Sequence, residues 1–62
     1  MKLIEFIEPD GSKIYINPAL VLYVCADAFH EGVSIIAFRG NVVRVKGSPS
    51  DVASDLIRGH SV

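Results

Sequence analysis

Apolar and polar residues change period once along this chain. Through residue 46 the apolar positions fall in short runs rich in Leu, Ile, Val, Phe and Tyr; after residue 48 they recur three and four places apart. The first pattern is that of strands and the second that of an amphipathic helix. Five strands are predicted, over 2–8, 13–16, 21–26, 33–38 and 42–46, followed by one helix.

The breaks between the runs carry turn chemistry. In Glu8-Pro9-Asp10-Gly11-Ser12, Pro9 presets φ for a type I turn and Gly11 suits the left-handed position of a G1 bulge, so the flanking runs form a hairpin. Asn17-Pro18 breaks the ladder, because proline offers no N–H and pushes Asn17 to an extended conformation. Pro18-Ala19-Leu20 then makes a short turn or a single 3₁₀ turn. Asp27 to Gly32 is polar and irregular, and Arg39-Gly40-Asn41 is a tight turn whose Gly40-Asn41 tolerates positive φ.

The helix has its signals at both ends. Ser48 is the expected N-cap, Pro49 the first helical residue, and Asp51 stands at the capping-box position. Val52, Ala53, Leu56 and Ile57 make the apolar stripe of about three turns, Arg58 suits the C-terminal end, and Gly59 is read as the C′ residue. His60, Ser61 and Val62 are expected to fray. The order is β-β-β-β-β-α. It defines a single α+β domain over 1–62: an antiparallel five-strand meander, open or curled into a small barrel, with one C-terminal helix.

Counting faces leaves a surplus. Ile14 to Cys25 is two apolar runs hinged at Asn17-Pro18, and the second is too apolar for a strand with one wet face. Alternation sets Leu22 and Val24 against Val21, Tyr23 and Cys25, and Ile36 and Phe38 against Val33, Ile35 and Ala37. One face is covered by Val52, Leu56 and Ile57. The other is left to barrel closure, to a second subunit, or to both, since large exposed apolar patches mark interaction sites. A homo-oligomer, dimer or higher, is predicted, with Val21, Tyr23, Cys25, Val33 and Ile35 at the interface.

Composition strengthens that expectation. A chain of 62 residues builds a marginal core and usually takes support from a disulfide, a metal or a partner. Cys25 is the only cysteine, so no intramolecular disulfide forms, and no Cys/His zinc pattern is present. Six basic against seven acidic residues, a net charge of −1, give no global field for nucleic acid or an anionic membrane. No apolar run approaches the roughly 20 residues that span a bilayer, and Glu5 and Glu8 interrupt the only N-terminal one. A soluble cytoplasmic protein with no membrane contact is expected.

With its elements placed, the pattern resembles the FlbD-like small proteins of bacterial flagellar and swarming motility. The resemblance covers most of the chain. It is carried by Gly11, Tyr15, Ile16, Asn17, Pro18 and Leu20, then Val33, Ile35, Gly40, Val45-Lys46, Ser48 and Val52. The connection over 26–32 departs from the pattern, and Gly47 stands where an acidic residue is expected. The resemblance implies a non-enzymatic accessory or regulatory role, with no catalytic residue to carry over.

Candidate chemistry is sparse. Asp27, His30 and Glu31 are the only metal-ligand or acid–base side chains gathered in one loop, and the reading preferred for them is a solvated loop. Cys25 is read as a buried structural thiol rather than a nucleophile. Asp51 and Asp55 serve the helix cap and its exposed face. Arg39, Arg44 and Lys46 are the one basic concentration, with two readings: a face for a phosphate backbone, or charges that keep an outer strand from pairing. No catalytic residue, metal site or cofactor is expected, and the chain is not read as an enzyme. The function expected is a small oligomeric interaction or regulatory module binding a protein partner. The alternative is a nucleic-acid-binding regulator using Arg39, Arg44 and Lys46.

Overall fold

The computed structural model describes residues 2–60, with side chains as far as Gly59. β1 (Ile4–Ile7) and β2 (Lys13–Ile16) form an antiparallel hairpin. At its turn the Gly11 N–H donates to the Glu8 carbonyl at 2.8 Å, Gly11 takes φ +94°, and the Glu8 N–H donates to Ser12 O at 2.7 Å. That is the type I turn with a G1 bulge that Pro9, Asp10 and Gly11 specify. Asp10 Oδ1 accepts the Ser12 N–H at 2.9 Å and fixes the corner.

The chain then makes one 3₁₀ turn, Pro18–Leu20, capped by Asn17, whose Oδ1 accepts the Ala19 N–H at 3.0 Å. This turn lifts the backbone off the hairpin. β3 (Tyr23–Ala26), β4 (Val33–Phe38) and β5 (Asn41–Lys46) follow as a second antiparallel sheet of order β3-β4-β5. β4 and β5 are joined through Arg39 and Gly40, and Gly40 supplies the positive φ, +90°.

The five strands are therefore divided between two sheets rather than joined in one meander, and the described strands do not close into a barrel. The cause lies at Asn17-Pro18. With no N–H at Pro18 and three residues spent in the 3₁₀ turn, β2 has no ladder to hand on to β3. β1 instead comes to lie beside β5. β3 also starts two residues later than the apolar pattern suggested, because Val21 still closes the 3₁₀ turn through its N–H to Pro18 O at 3.3 Å.

The core fills the space between the sheets and α1 (Pro49–His60). Phe6 and Ile16 from the hairpin meet Ile36, Val45, Val52 and Leu56, with Ile36 and Val45 both 0% exposed. Ser34 is buried among them, and its hydroxyl donates to Gly47 O at 2.7 Å, so its burial leaves no orphan group. Ser48 caps the helix as expected, its Oγ accepting the Asp51 N–H at 3.2 Å.

Two helix expectations change. Ile57 does not cover the sheet; it lies 65% exposed, and the buried stripe is Val52 and Leu56 with Ala53 half-buried. Gly59 is not the C′ residue, since the helix runs through it to His60, and Ser61 and Val62 lie outside the described residues. Its lack of a side chain serves packing instead. A Cβ at position 59 would run into the Ile4 side chain, with Pro18 Cγ 3.8 Å away.

Candidate interaction surface

The β3-β4-β5 sheet has one face on the core and one that no described element covers. Its register decides which residues lie where. Val24, Ile36 and Val43 share a rung and face the core, as do Ser34 and Val45 on the next core-facing rung, whose β3 member, Ala26, is exposed at the edge. The alternate rungs, Tyr23–Ala37–Val42 and Cys25–Ile35–Arg44, therefore point outward, and Val33 and Lys46 pair at the end of the same face. Tyr23 is 57% exposed, Cys25 and Val42 are exposed, and Val33 and Ile35 are half-buried. Ala37 is buried on its rung between the larger Tyr23 and Val42.

Four of the five residues expected at an interface are thus brought together: Tyr23, Cys25, Val33 and Ile35. Val21 is not among them. It is half-buried and packs against the core cluster, while Leu22 is exposed. The alternation read from the sequence is right from Tyr23 onward and fails at 21–22, where the backbone is leaving a 3₁₀ turn rather than running as a strand. Cys25, expected to be a buried thiol, is exposed on this face.

Asp27 rims the same face, two residues beyond Cys25, and its side chain is only 2% exposed. Both carboxylate oxygens are occupied. Oδ1 accepts the Phe29 N–H at 2.9 Å, and Oδ2 faces His30 Nδ1 at 3.1 Å and accepts from Arg44 Nε at 3.0 Å. The Phe29 N–H holds the carboxyl below its ordinary pKa, with His30 and Arg44 adding to the effect and burial opposing it. The loop expected to be merely solvated is therefore tied to β5 through a buried carboxylate. It displays Phe29, 89% exposed, beyond the end of the sheet. A cleft of about 440 Å³ lies between this loop and Gly47, Ser48 and Pro49. Among the described residues no three His, Cys, Asp or Glu side chains come together as a metal set.

The basic residues do not converge. Arg44 and Lys46 share the outer face of β5, but Arg44 is engaged by Asp27. Arg39 sits in the turn that precedes Asn41, at the other end of β5 from Lys46. What sequence reasoning missed was the Asp27–Arg44 pair, seventeen residues apart, which depends on strand pairing and leaves no local signal.

By fold the chain is a small α+β domain of two antiparallel sheets and one helix, and among its described residues no helix is long and apolar enough to cross a membrane. No family model matches it, and neither a curated protein nor a solved structure does.

Proposed function

We propose that this protein is a small non-enzymatic interaction module that associates with itself through the β3-β4-β5 sheet, with Tyr23 and Cys25 at the junction, and offers a protein partner the outward surface of the assembled sheet. One observation carries the reading: Tyr23, Cys25, Val33, Ile35 and Val42 lie together on a sheet face that the single helix leaves bare. Contiguous apolar surface of this kind is what interaction sites expose. A domain with so little interior also gains most from a second copy, because binding to the folded state alone shifts its folding equilibrium. A motility-related setting is the part of the proposal that rests on the FlbD-like resemblance; deletion of the gene without effect on swarming would remove it.

Replacing Tyr23 by Asp places a charge on this surface at an exposed position, where the monomer tolerates it. The variant is expected to keep its circular dichroism spectrum and to lose the multimeric mass seen by light scattering. A folded Tyr23→Asp variant with the wild-type mass removes this surface from the assembly.

A further inference from the structure

We propose that two copies of the chain join edge to edge along β3, in one register centred on Cys25, to make a continuous antiparallel sheet of six strands from two sheets of three. This rests on the self-association reading above and specifies how it is built. The register of the folded chain supplies the first argument. Asp27 N–H donates to Val33 O at 3.0 Å, and Gly47 N–H donates to Gly32 O at 2.8 Å on the other side of β4. Alternation from these bonds makes Cys25 in β3, and Asp27 just past its end, residues bonded to β4. The N–H and C=O groups of Val24 and Ala26 then point to the open side of the sheet. No described strand pairs there.

The composition of that edge is the second argument. Exposed strand edges are ordinarily blunted by charge, proline or bulges. β1 carries Glu5, β2 carries Lys13 and runs into Asn17-Pro18, and β5 carries Arg44 and Lys46. β4 carries no charge and lies in the middle of its sheet. β3, Tyr-Val-Cys-Ala, is the edge with neither charge nor proline. α1 packs against β3, with Val24 half-buried against the core, but Ala26 is exposed although its rung faces the core, so the Ala26 end of the edge is left open.

An antiparallel edge is complementary to itself, and a two-fold pairing closes as a dimer. With Val24 and Ala26 as the outward groups, the symmetric register pairs Val24 of one copy with Ala26 of the other, each pair exchanging both backbone bonds. Cys25 then faces Cys25 across the axis as a non-hydrogen-bonded pair, about 4.5 Å between Cα atoms. Tyr23 lies opposite Asp27 of the other copy. The two outer faces become continuous across the junction and form the platform for the partner.

This register predicts its own cross-link. A non-hydrogen-bonded Cα separation falls within the 4.4–6.8 Å (about one disulfide's reach) that a disulfide spans. Diamide, which takes up two electrons and two protons as two thiols become one S–S bond, is expected to convert the wild-type protein to a covalent dimer under non-denaturing conditions, and Cys25→Ser to abolish it. Ala26→Pro removes an N–H that β4 does not use, so it should leave a folded chain, checked by circular dichroism, with the mass of a monomer. Val42→Asp, on the outer face away from β3, should remain a dimer. A dimer that gives no Cys25 cross-link, or that survives Ala26→Pro, overturns the edge register while leaving self-association standing. A dimer lost only with Val42→Asp replaces edge pairing by stacked faces. A wild-type monomer overturns both.

Discussion

Asp27 is the charged side chain that the described part of the molecule buries, and its surroundings give it a pH signature. Its folded pKa is held below the ordinary carboxylate value, first by the Phe29 N–H and then by His30 and Arg44. The folded chain thus binds this proton less readily than the unfolded one. Stability from Asp27 is present in full above the unfolded value of about 3.9 and is lost as pH falls through the lowered folded value. Asp10, lowered by the Ser12 N–H, acts in the same direction. Asp27→Asn keeps an acceptor for Phe29 but loses the charge that Arg44 answers. Denaturant melts across the acid range are expected to show lower stability at neutral pH and a shallower loss on acidification; an unchanged acid limb contradicts the role given to this carboxylate. Gly59 makes a second claim at this scale. Alanine gains up to about 1 kcal/mol over glycine in a helix interior, but here its Cβ meets Ile4. Gly59→Ala should therefore destabilise, by about 1–3 kcal/mol as overpacking does. Ile4→Val in the same chain should recover part of that loss, a coupling that a double-mutant cycle reads. Neither residue's role was legible beforehand. Gly59 looks like a C′ glycine until Ile4 is placed against it, and Asp27 looks solvated until β5 brings Arg44 beside it.

Where an element is set by chemistry within a few residues, the sequence already contained it. Pro9-Asp10-Gly11 makes the hairpin turn, Asn17-Pro18 the 3₁₀ turn, and Ser48-Pro49 the start of α1, each closed by hydrogen bonds between near neighbours. The Ser48 cap is the most local of these. Ser48→Ala should cost about 1 kcal/mol, read as a lower denaturation midpoint with an unchanged slope; no shift would mean that the Asp51 N–H finds another acceptor. Elements placed by distant pairings were not legible in the same way. The division into two sheets depends on β1 lying beside β5, strands separated by most of the chain. The direction of Ile57 depends on which side of the helical stripe the sheet meets, and here Val52 and Leu56 take that place. The outer face was legible from Tyr23 onward because strand alternation is strict there, and Val21 escaped it because the strand had not begun.

The whole molecule is a thin sandwich: one sheet face and a helix share an interior with a two-stranded hairpin, and the other sheet face is bare. With Ile36 and Val45 at its centre, that interior is small; the proposed pairing along the β3 edge would extend the sheet and join the two bare faces. Association of this kind makes stability depend on protein concentration. The melting temperature is expected to rise with concentration in the wild type and to be independent of it in Tyr23→Asp; a concentration-independent wild-type melt would place the association outside the folding equilibrium. The most direct test of the central claim is the mass of the wild-type protein in solution, measured by sedimentation equilibrium over a dilution series from high to low micromolar. The prediction is a mass of two protomers that gives way to one on dilution. A single-protomer mass throughout the series would contradict it.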